Sequence, residues 1–107
     1  GGGGSTNHAQ FDMTNNTGWL AKTIANGSSC PVSFTWSSEE DGNSTGPGTL
    51  TIKSGGVIKT TMNVDQGDIE IDLALYCSVG RNSLRVSLSD AYDNTRSVNF
   101  TITVEEL

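Results

Sequence analysis

The sequence predicts an all-β protein built as a sandwich of antiparallel sheets, and three observations carry that reading. The stretch from Asp68 to Val104 holds three runs in which every second residue is apolar: Ile69, Ile71, Leu73 and Leu75; then Leu84, Val86 and Leu88; then Val98, Phe100, Ile102 and Val104. Side chains on a strand point alternately to opposite faces, so each run has one face to bury and one to leave wet. Composition agrees, with 34 % hydrophobic residues, 17 % charged, 13 glycines and abundant Ser, Thr and Asn. That suits strands joined by turns better than helices. Turn signals such as Asn26-Gly27 and Ser54-Gly55-Gly56 also recur at short intervals. At 107 residues the chain is one domain's worth.

Residues 1–16 are Gly-rich and polar, with Phe11 and Met13 the only sizeable apolar groups. They read as a flexible linker or tag ahead of a domain spanning 17–107. The single histidine, His8, lies in that tail without a second ligand near it and receives no role. A first strand is expected from Trp19 to Ala25. A second, CPVSFTWSS from Cys30 to Ser38, has Pro31 near its start, where a missing N–H is tolerated, and turns Cys30, Val32, Phe34 and Trp36 to one face. Glu39 to Gly48 is acidic, Gly-rich and almost free of apolar groups, so it is expected to be an exposed loop. Leu50 and Ile52 mark a short third strand. Ile58, Thr60, Met62 and Val64 share a face of a fourth, with Lys59 and Thr61 outward on what reads as an edge. The three runs from Asp68 onward complete seven strands, the profile of an immunoglobulin-like β-sandwich.

Twelve acidic against six basic side chains give a net charge of −6. Such a surface repels phosphate backbones and anionic lipid, so neither nucleic acid nor a membrane is an expected partner. No run of about 20 apolar residues suggests a spanning helix, and no signal segment opens the chain.

With the strands placed, a set of motifs can be compared with known families. Gly18-Trp19, the Lys22–Ile24 tripeptide, Cys30 followed by FTWSS (34–38), the loop DGNSTGPGTLTI (41–52), QGDIEIDLALY (66–76), GRNSLRVSLSDAYDN (80–94) and RSVNFTITV (96–104) together resemble the immunoglobulin-like domains of tailed-bacteriophage structural proteins. The resemblance runs from Gly18 to Val104. It implies a non-enzymatic module of a tail, baseplate, fibre or capsid-decoration protein, made in the bacterial cytoplasm and displayed on the virion surface. Its implied partners are sibling domains of the same protein and host-surface or mucin glycans. The alternative is an adhesin or carbohydrate-binding domain of a bacterial surface protein. Where the resembling domains often carry leucine this chain has Cys77, so the resemblance supplies no partner for Cys30.

The strand directions of such a sandwich bring Cys30 and Cys77 to one end. Two readings stand: a disulfide, worth about 4 kcal/mol by chain entropy, or two thiols acting as small hydrophobes. No basic neighbour or histidine in sequence activates either as a nucleophile. Asp90, Asp93 and Asn94, with Asp65 and Asp68, are oxygen-rich enough to suggest Ca²⁺, but turn Asp and Asn ordinarily bond the backbone, and no metal or other cofactor is expected. Glu39, Glu40 and Asp41 form the densest acidic cluster; a glycosidase would need two carboxylates held across a cleft, and a Gly-rich loop reads instead as solvated surface. No catalytic residue is assigned. Trp36 aligns with the buried face, whereas Tyr92, at a turn tip, is expected to be exposed. Recognition by the domain would therefore rest on Tyr92 and Asp93 and on Glu39, Glu40 and Asp41.

Overall fold

In the computed structural model, which describes residues 10–106, the chain folds into two facing β-sheets. The strands are β1 (Gln10–Asn15), β2 (Ala21–Ala25), β3 (Pro31–Glu40), β4 (Asn43–Ser44), β5 (Gly48–Ser54), β6 (Val57–Val64), β7 (Gly67–Asp72), β8 (Gly80–Ser89) and β9 (Thr95–Glu105). One sheet has five strands in the order β2-β9-β8-β5-β6. Its β2 pairs parallel to β9, from Ala21 opposite Thr101 to Ala25 opposite Glu105, and its other pairs are antiparallel. The other sheet centres on β3, flanked by β1 (Phe11 opposite Ser38) and by β7 (Val32 opposite Ile71), with β4 folding back on Glu39 and Glu40.

The core lies between the sheets and follows the period-two pattern. Val32, Phe34 and Trp36 of β3, Leu50 and Ile52 of β5, Leu84, Val86 and Leu88 of β8, and Phe100 and Ile102 of β9 are each at most 1 % exposed. Phe34 meets Phe100 across the interior, ring centroids 6.1 Å apart and tilted by 70°, the edge-to-face geometry that the ring quadrupole favours. Fully burying each such side chain contributes about 1.5–3 kcal/mol.

Several expectations need correction. The flexible segment expected over 1–16 gives way by Gln10 to β1, which alternates a buried Phe11 and a half-buried Met13 with exposed Asp12 and Thr14; residues 1–9, His8 among them, lie outside the described residues. The second expected strand runs on through Glu39 and Glu40, and the acidic loop folds into a tight hairpin with β4. Trp19 precedes β2 instead of opening it, and its ring stacks edge-on against Phe100 at 5.5 Å.

Leu73 and Leu75 do not extend β7. Leu73–Tyr76 is a 3₁₀ turn, and Leu75 is 73 % exposed. The cause is Asp72, whose Oδ1 accepts from the Ala74 N–H at 3.0 Å and from the Cys30 N–H at 2.7 Å, capping the turn and tying it to β3. Ile58 is likewise exposed, because the β5–β6 register shifts between Ile52 and Lys53; a bulge turns the strand start away from the core while Thr60, Met62 and Val64 stay half-buried. Asn82 is buried in β8. Its Nδ2 donates to the carbonyls of Ser78, Gly80 and Ile102, and its Oδ1 accepts from the Ser78 N–H, closing the connection into β8.

Candidate functional site

Strands β3 and β8 run the same way on opposite sheets, so their C-terminal ends bring together the two loops that the sequence singles out. Glu39 and Glu40 end β3, and Asp41-Gly42 turns the chain with φ of 53° and 80°. The β8–β9 hairpin is closed by Ser89 opposite Thr95, and its loop carries Tyr92 and Asp93, the latter at φ 64°.

The two loops are joined beneath their tips by buried polar groups. Ser38 Oγ donates to Asp90 Oδ2 at 2.5 Å. Asp90, only 5 % exposed, also accepts from the N–H groups of Tyr92 and Asn94 and from Asn94 Nδ2, each at 2.9 Å. Burial by itself would raise the proton affinity of this carboxyl; the hydrogen bonds from Ser38, from the Asn94 side chain and from the two backbone amides outweigh it and hold the pKa below the ordinary value. Gln66 is the second clasp. Its Oε1 accepts from the Ser38 N–H at 3.0 Å, and its Nε2 donates to the Ser38 and Gly46 carbonyls at 2.9 and 3.0 Å.

Above these clasps the predicted site residues stand apart. Tyr92 is 59 % exposed, Glu39, Asp41 and Asp93 are exposed, and Glu40 is half-buried. Two depressions flank the end. One, of about 450 Å³, lies between β1 and the start of β9 (Gln10, Asp12, Asn94, Arg96); the other, of about 230 Å³, lies between β1 and Gln66 (Asp12, Ser38, Glu39, Ser44). Tyr92 and Asp93 line neither. Of the predicted site residues, Glu39 lines the second of these depressions, and Glu40 and Asp41 line neither. Asp90, the carboxylate that the fold grips most firmly, is committed to the turn and held ionised, opposite to what a general acid requires. Among the described residues, no group of three or more His, Cys, Asp or Glu is arranged to hold a metal ion.

At the opposite end, Cys30 and Cys77 are free thiols. Cys30 is fully buried in the core, and Cys77 packs against the same cluster with its Sγ donating to the Leu73 carbonyl at 3.3 Å. Burial raises the pKa of both. Asp72 adds to the shift in each, and Cys30 adds to that of Cys77, while Lys22 works against it at Cys30. Both are therefore protonated and slow to react at neutral pH. Iodoacetamide should label native Cys30 only as the domain unfolds, with a rate that rises along the urea transition; mass spectrometry of quenched samples checks this.

Sequence reasoning missed Ser38, Gln66 and Asp72 as organising groups. The only local signal for them is a polar residue beside a turn, and their partners are 28 to 52 residues distant in the chain.

No protein-family model matches the chain, and no curated protein matches it. Among solved structures it is similar to the fibronectin(III)-like modules of Clostridium thermocellum CbhA, with a TM-score of 0.57 at 12 % sequence identity over 89 % of this chain and 98 % of that one. At that identity the likeness concerns fold alone. Two facing sheets, a β1-β3-β7 layer against a β9-β8-β5-β6 layer and a parallel β2 beside β9 agree with it: the chain is an immunoglobulin-like β-sandwich.

Proposed function

We propose that the domain is a non-enzymatic module of a phage virion structural protein, acting as a rigid spacer with a weakly adhesive loop end. The observation that carries the spacer reading is where the ends of the fold lie. β1 begins at the loop end, with Gln10 opposite Glu39, whereas β9 finishes at the other end, with Val104 opposite Gly80 and Glu105 opposite Ala25. Flanking chain would enter at one end and leave at the other, about 33 Å away by the length of a ten-residue strand. Modules so connected add length in series. The virion assignment is supported by the motif resemblance from Gly18 to Val104, and the likeness of the fold to fibronectin(III)-like modules supports a role without catalysis.

An antibody raised against the domain and applied to lysates of the producing host should decorate tail or capsid particles in the electron microscope. Decoration of the cell envelope with no labelled particles would overturn the virion reading. It would favour an adhesin or carbohydrate-binding domain of a bacterial surface protein, a second reading that the likeness to modules of a bacterial protein keeps in play.

The adhesive role is tested at Tyr92. Its backbone, not its ring, bonds Asp90, so Tyr92→Ala should change stability by no more than about 0.5 kcal/mol. Binding to mucin glycans on an array should fall with it, and unchanged binding would remove Tyr92 from the contact surface.

A further inference from the structure

We propose that the outer face of the five-stranded sheet carries a binding site for an acidic saccharide, its carboxylate or sulfate group held between Lys53 and Arg85. This site lies away from Tyr92 and the loop end and does not depend on the reading given to them.

The outer face is a ladder of neutral hydroxyl pairs over much of its length. Ser87 faces Ser97 and Ser89 faces Thr95 across β8 and β9, and each pair shares a 2.7 Å hydrogen bond. One rung differs. Lys53 of β5 stands directly opposite Arg85 of β8, and both side chains are exposed. Residues opposed in register present their side chains on the same face, where like charges repel and destabilise the pair. The remaining cross-strand neighbours give no relief, since Lys53 also faces Ile58 and Arg85 also faces Asn99. A chain with twice as many acidic as basic residues thus sets two cations side by side with no carboxylate across from either. A bound anion would remove that cost.

The surroundings suit a sugar bearing the anion. Lys53 and Arg85 line a depression of about 530 Å³ that also includes Ser83, Asn99, Thr101 and the Gly55-Gly56 turn. This is room for one or two sugar rings, with hydroxyl and amide groups to meet theirs. Arg85 Nε donates to Asn99 Oδ1 at 3.1 Å, which orients the guanidinium and leaves its terminal nitrogens for a bidentate oxyanion. The rim is held down where Gly55 N–H donates to the Ser83 carbonyl at 3.1 Å. A Cβ on either glycine would meet nothing within 4 Å, so the rim is open. Both have positive φ, 55° and 84°, which explains glycine there and keeps bulk off the entrance.

The test is an amide-shift titration by NMR with oligogalacturonate, a sulfated disaccharide and a neutral oligosaccharide of matched length, all at one ionic strength, with sodium sulfate as a separate arm. Amides of Gly55, Ser83, Arg85 and Asn99 should shift with the acidic sugars and not with the neutral one. Lys53→Thr should weaken that binding about tenfold or more and raise the ligand-free melting temperature by about 1–5 °C as the repulsion is lost. Equal shifts with the neutral sugar would overturn the proposal. So would sodium sulfate matching the acidic sugars at the same concentration, which would mean a bare anion site. Retained affinity and an unchanged melting temperature in Lys53→Thr would overturn it as well.

Discussion

Gly48→Ala should cost the domain about 3 kcal/mol, at the top of the range for overpacking a close-fitted site, and lower the melting temperature by about 12–24 °C for a domain of this size. Gly48 is buried at the start of β5, opposite Val64, and its backbone conformation is not the reason for glycine there. A Cβ at this position would lie 2.5 Å from the Ser89 carbonyl oxygen and 2.7 and 3.2 Å from Cη2 and Cζ2 of Trp36. Neither neighbour has room to yield. Ser89 is in the ladder of β8, paired with Thr49 on one side and Thr95 on the other. Trp36 is 1 % exposed, donates its indole N–H to the Asp65 carbonyl at 2.8 Å and packs against Phe11 with ring centroids 6.1 Å apart. Combining Gly48→Ala with Trp36→Phe removes the indole's outer ring but leaves the carbonyl contact. The double variant should therefore recover part of the loss relative to Trp36→Phe alone, a coupling that urea denaturation of the four proteins measures. If Gly48→Ala melts within 2 or 3 °C of the parent, the packing of Trp36 on β5 is not as described.

The same tryptophan shows how far periodicity carries. Every second residue from Val32 to Trp36, from Leu84 to Leu88 and from Phe100 to Val104 is buried, because a strand with one wet face leaves its alternation in the sequence whatever its partners are. Alternation fails where a distant group intervenes. Leu75 continues the pattern of β7, yet the Asp72 carboxylate, fixed by the Cys30 amide from another strand, turns the backbone out of the ladder first. β1 is hidden for a different reason: it offers only Phe11 and Met13, and its strand conformation depends on pairing with β3. The site divides along the same line. That Tyr92 is exposed, and that Glu39–Asp41 shares its end of the domain, follow from turn chemistry and strand direction. That Asp90 is bonded by Ser38, or that Lys53 opposes Arg85, depends on packing and register between segments far apart in sequence, which no local pattern records.

Asp90→Ala should destabilise the domain by about 3–4 kcal/mol, and Asp90→Asn by about 1–2 kcal/mol. Alanine leaves the Ser38 hydroxyl, two backbone N–H groups and the Asn94 amide without the acceptor they converge on, and loosens the β8–β9 loop together with its anchor on β3. Asparagine keeps one oxygen for the Tyr92 and Asn94 amides, but it sets its own NH₂ against Asn94 Nδ2 while the Ser38 hydroxyl rotates to accept. The two variants also differ from the parent in pH dependence. The Asp90 pKa in the fold lies below the ordinary 3.8 of an unfolded aspartate. In the window between these two values the unfolded chain binds more protons than the folded one, so the stability due to this carboxylate is fully present above that ordinary value and is lost as pH falls through the folded pKa. Asp90→Asn has no such contribution. The gap in unfolding free energy between parent and Asp90→Asn, followed by urea denaturation from pH 6 down to pH 2.5, should stay constant to about pH 4 and then narrow. Other carboxylates titrate in both proteins and cancel in the difference. A gap that widened with acid would mean that Asp90 is protonated in the folded domain, and that its bond to Ser38 is that of a neutral acid.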